Sequence, residues 1–435
     1  MRRLNVMWIV WAAVECAGLA AAETTVGWRT DGTGVYPDAR PPVKWSATEN
    51  VVWKTPMPSS ANAMPILVGN RMFVTSDHPT TLHCVSAADG KILWSDSISY
   101  LDAVPKEDLE AVKLAAEFKA AKSEGEKANV LKKMEMVQYF ELPDFMTGHG
   151  LSIGYASPTP CSDGKSVFVL YGTGIAAAYD LEGHRKWVRF IEKPPEPQGY
   201  YCSPLLAGGV LMVNLEKGWG LDPATGKTLW TTESKHCWTT PVYMRVGETD
   251  VAVTAVGDVI RLGDGKKVAR IPQGGGAEQF QPIAADNTVY FIGCTGTGSS
   301  ATRLRPARDG RIETETVWSK KELKGGFYCV YADGLIYAQG GEGAEFLHVL
   351  NAKTGELVYT HKLQMGECYQ SITVAGPYVY FPANGRGNVL VVARGRQYQK
   401  VALNDQLGEN FLGGPIFSGT RMYLRGYKNL YCIGK

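Results

Sequence analysis

Cysteine and histidine are the residue types in this chain that could bind a soft metal, form disulfides or take part in redox chemistry. Four cysteines recur in short segments of similar type, namely Cys202 in GYYCSP, Cys237 in KHCWTTP, Cys329 in GFYCVY and Cys368 in GECYQS. His149 and His236 are grouped with these cysteines because they occupy the same position in the repeat. Cys294 lies in the loop GCTGTGSS and is a further candidate. Cysteine is also small enough for crowded strands, so packing is our leading interpretation and a metal, redox or disulfide role is the alternative.

Polar residues in loops are the other candidates for ligand contact: Glu216, Lys217, Glu342 and Arg386. The glycine clusters around the last two lack the strand, loop and helix order of a phosphate-binding loop, and hairpin turns explain their glycines. The chain has no Cys-x-x-Cys-His, adjacent Cys-Cys, Gly-x-Ser-x-Gly or His-Glu-x-x-His motif. These absences give no support to haem attachment or to the common hydrolase mechanisms.

Residues 1–22 have the pattern of a cleaved secretion signal, with two arginines, an apolar run from Val6 to Val14 and a stretch of alanines. Cys16 follows a glutamate, whereas lipid attachment signals have a small residue there, so we disfavour a lipoprotein. Cleavage would leave residues 23–435 with eight cysteines and no apolar segment long enough to span a membrane. We therefore expect a periplasmic or secreted protein.

The charges are nearly balanced, with 45 basic and 43 acidic residues and a formal net charge of +2. Such a chain has no extended field that would draw in nucleic acid or an anionic membrane surface. Those partners are therefore not expected.

A repeat of about forty residues organises the chain. Each copy has a turn followed by a strand that ends in an aromatic residue, as in SAADGKILW and DPATGKTLW. These aromatic positions are Trp53, Trp94, Trp187, Trp230, Trp318 and Tyr359. The Asp-Gly and Thr-Gly pairs suit tight hairpins, and the large aromatic face is expected to pack between neighbouring repeats. The period fits a four-stranded blade.

Short segments with small residues and proline precede the middle strands and are predicted to be the innermost strands. There are eight of them, beginning near Asn62, Ala156, Cys202, Thr239, Phe280, Val330, Gln370 and Gly413. The last copy lacks a tryptophan strand, and NVVWKTP around Trp53 is a tryptophan strand without the rest of its blade. We therefore predict an all-β, eight-bladed β-propeller that is closed by an N-terminal strand. It forms one domain, residues 23–435, and is expected to be monomeric.

One helical insertion interrupts the repeat between blades 1 and 2, at about residues 102–147. It is rich in Glu, Lys, Ala and Leu, and its apolar residues have helical spacing. We predict two amphipathic helices with a break near Gly125. A solvated decoration and a lid or partner-docking element are both open interpretations.

The motif LDPATGKTLW resembles that of the PQQ-like, or quinoprotein-type, repeat family. The segment from Gly27 to Pro58 and the ending LYCIG also resemble those of BamB-like propellers. The resemblance implies fold more than function, because the tryptophan motif is structural. Family dehydrogenases hold pyrroloquinoline quinone (PQQ) and Ca²⁺ with an Asp base, Glu and Asn ligands, a tryptophan floor and often a vicinal disulfide, a set we cannot place here.

The leading functional hypothesis is a non-catalytic module of the cell envelope that binds a small ligand or a protein partner, with no cofactor assigned. A PQQ- and Ca²⁺-dependent dehydrogenase is the first alternative. A metal-binding propeller that uses the loop cysteines is the second.

Overall fold

A computed structural model describes most of the chain beyond the N-terminus. The described residues are 26–77, 79–99, 102–103, 109–133, 155–194, 199–235, 237–272, 277–294, 298–321, 328–340, 346–363, 365, 371–383, 387–404, 407–411 and 413–435. The secretion signal predicted for residues 1–22 lies outside this set.

Eight antiparallel sheets of four strands follow one another around a ring, which confirms the predicted eight-bladed β-propeller. Blade 1 contains β3 Ile66–Val68, β4 Arg71–Ser76, β5 Thr81–Ser86 and β6 Ile92–Ser97. Blade 2 contains β7 Cys161–Ser162, β8 Ser166–Leu170, β9 Ile175–Asp180 and β10 Arg185–Phe190. Blade 3 contains β11 Leu205–Ala207, β12 Val210–Asn214, β13 Lys217–Leu221 and β14 Thr228–Glu233. Blade 4 contains β15 Val242–Val246, β16 Thr249–Val253, β17 Asp258–Arg261 and β18 Lys267–Arg270.

The second half of the ring repeats this order of strands. Blade 5 contains β19 Ile283–Ala285, β20 Thr288–Cys294, β21 Gly298–Pro306 and β22 Ile312–Lys320. Blade 6 contains β23 Cys329–Ala332, β24 Leu335–Gly340, β25 Phe346–Asn351 and β26 Leu357–Lys362. Blade 7 contains β27 Thr373–Ala375, β28 Tyr378–Pro382, β29 Val389–Ala393 and β30 Lys400–Asn404, and blade 8 contains β31 Ile416–Ser418, β32 Arg421–Arg425 and β33 Asn429–Ile433.

Blade 8 is completed by β2, Val51–Pro56, which pairs antiparallel with β33. Trp53 lies opposite Cys432 in this pairing, so the N-terminal tryptophan strand closes the ring as predicted. A further short strand, β1 (Val35–Tyr36), pairs in parallel with β27 of blade 7. Because β2 caps the last sheet, the ring has no open seam between its first and last blades.

Tryptophans of five fourth strands cross to the next blade. Each strand continues for two or three residues beyond its tryptophan, whereas the sequence pattern predicted that it would end there. Five indole Nε1 groups donate to a backbone carbonyl there, at 2.7–3.2 Å: Trp53 to Ala87, Trp94 to Leu181, Trp187 to Pro223, Trp230 to Leu262 and Trp318 to Ala352. The rings lie against the turn glycines of the neighbouring blade, and a Cβ on Gly265 would be 2.5 Å from the Trp230 ring. Tyr359 differs, because its buried hydroxyl has no hydrogen-bond partner in the described part of the chain.

The hydrophobic core is divided among the junctions between blades. Eight clusters of buried side chains each join two neighbouring blades, and together they run around the whole ring. The middle strands supply most of these residues, as in the fully buried strand β8. Apolar burial therefore stabilises every junction between neighbouring blades.

Two helices lie between blades 1 and 2, at the predicted insertion: α1 Leu109–Ala120 and α2 Glu124–Lys133. Non-helical residues 121–123 separate the two helices. The predicted break near Gly125 is therefore displaced by a few residues, and Gly125 lies in the first turn of α2. An acidic first turn of α2, with Glu124 and Glu126, suits the positive end of the helix dipole. Neither helix is long and apolar enough to cross a membrane, and the same holds for the rest of the described chain.

Candidate functional site

The loop face is the end of the ring at which linkers enter the inner strands and second strands turn back into third strands. Five residues predicted for this face are described with their side chains: Glu216, Lys217, Cys202, Cys237 and Cys329. Cys294 ends β20, but its side chain is outside the described set. His149, His236, Glu342, Arg386 and Cys368 also fall outside the described residues, so their placement stays a prediction.

Cys202 and Cys237 lie on neighbouring linkers, and both side chains are fully buried. The Cys202 thiol donates to the carbonyl oxygens of Cys237 and Thr239, at 2.5 and 3.0 Å. The Cys237 thiol donates to the carbonyl oxygen of Lys235 at 3.2 Å. Burial raises the pKa of Cys202 well above its usual value and that of Cys237 to about 12. Both groups are therefore thiols near pH 7, and as thiols they are poor nucleophiles and poor metal ligands.

The third described cysteine of this group, Cys329, stands apart from the pair on the inner strand of blade 6. Its Sγ lies 3.9 Å from the carbonyl oxygen of Gln281, and burial raises its pKa to about 12. No three His, Cys, Asp or Glu side chains within the described residues are grouped so that they could hold a metal ion. The described donors thus fit neither a soft metal nor the Ca²⁺ of the quinoprotein dehydrogenases.

Next to the cysteine pair lies an aromatic pair on the loop face, an exposed tryptophan and a half-buried tyrosine. Trp238 is 46% exposed, and its ring centroid lies 6.0 Å from that of Tyr201. The backbone N–H of Trp238 donates to the carbonyl oxygen of Glu278 at 2.9 Å, and Lys235 Nζ lies 3.4 Å from the carboxylate of Glu278. These contacts tie the Trp238 linker to the following one. Our sequence analysis missed this pair, although each aromatic residue adjoins a cysteine that it singled out.

Glu216 and Lys217 lie at the tip of the blade 3 hairpin, with both side chains exposed. The hairpin is held by Glu192 of the preceding linker, whose Oε2 accepts from the backbone N–H of Lys217 at 3.2 Å and from Trp219 Nε1 at 3.0 Å. The structure therefore brings both predicted polar residues onto the same side of the ring as the cysteine pair. It also shows that an unpredicted glutamate positions them.

Across the ring from blade 3, a second glutamate, Glu409, holds the hairpin of blade 8 by hydrogen bonds in the same way. The carboxylate of Glu409 accepts from the backbone N–H groups of Lys428 and Asn429 at 2.6 and 3.3 Å, from Asn429 Nδ2 at 2.6 Å and from the Tyr431 hydroxyl. It borders a cavity of about 580 Å³ that is lined by residues 57–60, 408–410, 427 and 428. With its oxygens occupied by four donors, Glu409 is a fixed wall of this cavity.

A ladder of hydrogen bonds joins the inner strands around the axis. The residues before the inner-strand prolines form it: Met64 N–H donates to Thr159 Oγ1, Thr159 N–H to Ser203 Oγ and Ser203 N–H to Thr240 Oγ1, each at 3.0 Å. Gln281 Nε2 continues the ladder to the carbonyl oxygen of Thr240 at 2.8 Å. The inner strands were predicted from the small size of these residues. The structure shows in addition that their hydroxyl groups form hydrogen bonds from one blade to the next.

Residues 26–40 cross the other end of the ring. Val26 forms a β-bridge with Ser162 of blade 2, and β1 pairs with blade 7. Between these contacts the Arg29 side chain is fully buried, and its Nη2 donates to the carbonyl oxygen of Ile372 at 3.0 Å. Burial lowers the pKa of Arg29 to about 10. The N-terminal segment thus occupies this end of the axis.

Two histidines, His83 and His348, lie on strands within the blades. His83 is 2% exposed, and its ring nitrogens are each 2.7 Å from a serine hydroxyl, Nε2 from Ser76 and Nδ1 from Ser95. Burial, helped by the charge of Arg425, lowers the pKa of His83 to about 4. His348 contacts a threonine hydroxyl at the matching position of blade 6, at 3.0 Å. A buried Ser–His–Ser contact of this kind links three strands and gives no access to a substrate.

Comparisons with known proteins agree with this architecture. Residues 38–103 match a family model described as outer membrane protein assembly factor BamB. No curated protein matches the chain in sequence.

Among solved structures, BamB from Moraxella catarrhalis is similar with a TM-score of 0.58 and 12% identity, over 88% of this chain and 97% of that one. Quinohemoprotein alcohol dehydrogenase ADHIIG from Pseudomonas putida HK5 is similar with a TM-score of 0.53 and 12% identity, over 88% and 75%. Sqt1 from Saccharomyces cerevisiae has a TM-score of 0.58 and 8% identity, over 89% and 99%. At these identities the likeness shows the fold, which proteins of different activities share.

Proposed function

We propose that this PQQ-like, BamB-like β-propeller is a non-catalytic binding or assembly module of the cell envelope that holds a protein partner on its loop face. The observation that carries the proposal is the exposed Trp238, whose ring packs against that of Tyr201. Backbone hydrogen bonds attach the linkers of both residues to neighbouring parts of the ring. Tryptophan and tyrosine are the residues most enriched among interface hot spots.

Rigidity of the linkers favours binding. The Trp238 backbone is bonded to the next linker, and Ser203 next to the cysteine pair is bonded to Thr240 at 3.0 Å. Binding of a partner would therefore cost little conformational entropy here, because hydrogen bonds already hold these two linkers in place. An exposed indole on such a support offers a large apolar area with a polar rim.

The near balance of charge also favours a protein partner over nucleic acid, and the match of residues 38–103 to an outer-membrane assembly factor supports a place in the envelope. The secretion pattern of residues 1–22 supports the same place. Loop-face binding needs no catalytic group, which fits a site whose described cysteines are all buried.

The test places a photo-crosslinking amino acid at position 238 of the full chain in cells that make the protein. The matched control carries the same group at Leu229, which is 52% exposed on the outer strand of blade 3, away from the loop face. We expect a discrete protein adduct at position 238 and none at position 229. Binding of that purified partner to Trp238→Ala should fall about 30-fold, as for a hot-spot residue, and binding to Leu229→Ala should hardly change.

Equal adducts at both positions, or unchanged affinity of Trp238→Ala, would remove the loop-face proposal. Reconstitution with PQQ and Ca²⁺, followed by dye reduction with alcohols and sugars, checks the catalytic alternative. Cofactor-dependent turnover in that assay would replace a binding role with a dehydrogenase.

A further inference from the structure

We infer that Cys202 and Cys237 form a disulfide that ties the two linkers beside the Tyr201–Trp238 pair. The inference rests on the proposed function for one point only, the oxidising compartment in which disulfides persist. A disulfide between these two cysteines would hold the two linkers, and with them the binding surface, in place.

The geometry comes from three successive contacts between the same two linkers. The rings of Tyr201 and Trp238 meet with centroids 6.0 Å apart, and the Cys202 sulfur lies 2.5 Å from the carbonyl oxygen of Cys237. One residue further on, Ser203 N–H bonds to a threonine hydroxyl of the second linker at 3.0 Å. The linkers therefore run side by side in direct contact at the cysteines, and a disulfide generally requires Cα atoms about 4.4–6.8 Å apart.

In the observed state both residues are free thiols that point in different directions. The Cys202 sulfur already points at the second linker, between the carbonyls of Cys237 and Thr239. The Cys237 sulfur is turned back towards the carbonyl oxygen of Lys235, at 3.2 Å. Forming the bond requires this thiol to turn about its Cα–Cβ bond and give up its contacts with the backbone of Lys235, Ala255 and Val256.

The other described cysteines have no such neighbour. Cys202 and Cys237 share a small buried cluster with Ala255 and Val256. Cys84, Cys161, Cys329 and Cys432 each belong to a different junction between blades and are separated from one another by other core residues. Within the described residues, one pairing is therefore selected by position.

The reaction needs an oxidant, and a small-molecule disulfide such as oxidised glutathione supplies it. One cysteine, as thiolate, attacks the oxidant and forms a mixed disulfide with release of one glutathione thiol. The second thiolate then displaces the other glutathione, so two protein thiols lose two electrons and two protons while the oxidant gains them.

The burial of the two thiols determines at which stage of folding the disulfide forms. Both thiols are fully buried in the folded ring, and the resulting high pKa values leave almost no thiolate to react. The bond therefore forms while the linkers are still open, before blades 3 and 4 close. Protein that folds in reducing conditions should keep both thiols and oxidise slowly afterwards.

The test refolds the full chain with reduced and oxidised glutathione, blocks free thiols in denaturant, and maps peptides by mass spectrometry with and without reduction. Cleavage at Lys217, Lys227 and Lys235 separates the two cysteines into different peptides. We expect one linked peptide pair, containing Cys202 and Cys237, and a thermal midpoint roughly 5 °C above that of the reduced protein. Cys84→Ala should keep the link, and Cys202→Ala should lose it together with the gain in midpoint.

Blocked thiols at both positions in the oxidised wild-type protein, or a link from either one to another cysteine, would overturn the inference. Wild-type mapping gives this answer even where a variant fails to fold. Failure of the proposed function has a different signature, because unchanged partner affinity of Trp238→Ala leaves the linked peptides unaffected.

Discussion

Replacing His83 with glutamine tests whether a buried neutral imidazole limits the stability of blade 1 in acid. The ring is 2% exposed, and each nitrogen lies 2.7 Å from a serine hydroxyl. The neutral ring donates at one nitrogen and accepts at the other, so both serines are satisfied. Protonation would put a full charge into this apolar site, which is why the pKa falls to about 4.

The sign and size follow from linkage. The pKa is about 4 in the folded chain and about 6.5 in the unfolded chain, so the unfolded state binds the proton first as pH falls. Above pH 6.5 neither state is protonated and His83 carries no penalty. Between pH 6.5 and pH 4 the wild-type protein loses stability through this group, by about 3 kcal/mol at pH 4, and the loss levels off below.

Urea unfolding at a series of pH values between 8 and 4 measures the effect. We expect the difference in free energy of unfolding between wild type and His83→Gln to shift by about 3 kcal/mol in favour of the variant across this range. Leu229→Ala is the control, because this exposed residue on the outer strand of blade 3 has no titratable group and its replacement should leave the wild-type slope unchanged. Parallel curves for wild type and His83→Gln would refute the reasoning.

Two further substitutions test the junctions between blades. Gly265→Ala puts a Cβ 2.5 Å from the Trp230 ring at a residue with φ of +71°, and we expect a loss of about 2–4 kcal/mol in urea unfolding. Gly263→Ala in the same turn meets no atom within 4 Å, and a loss as large as that of Gly265→Ala would contradict the packing argument. Glu409→Gln turns an amide towards groups that donate to the carboxylate, so we expect a loss of about 2 kcal/mol, while Glu313→Gln at an exposed position of β22 should be neutral.

The ring itself was predictable because its signals are local and repeated. Asp-Gly and Thr-Gly turns, alternating strands and a tryptophan every forty residues each specify one strand or hairpin. Closure by the strand around Trp53 followed from counting, since one blade lacked the strand that the N-terminus offered. The break between the helices was misplaced at Gly125, because a glycine weakens a helix without having to end it.

The site was harder to predict, since it depends on which linkers become neighbours. Sequence grouped Cys202, Cys237 and Cys329 by repeat position, whereas the ring places the first two side by side and the third elsewhere. Equivalent positions in different blades share an environment without sharing a contact. Trp238 was passed over because an aromatic residue in a β-rich chain is usually core, and only the finished ring shows that it is exposed.

The two ends of the ring are built differently, and this restricts how the protein can work. At one end, residues 26–40 bury Arg29 at the axis, although two of its guanidinium nitrogens find no hydrogen-bond partner within the described residues. A buried cation with so few partners is costly, and the segment is held in place by its other contacts, among them the pairing of β1 with blade 7. Passage along the axis would have to displace this segment, whereas Trp238 is 46% exposed without such a displacement. The geometry therefore favours a ring that presents one surface over a ring that conducts a ligand through its centre.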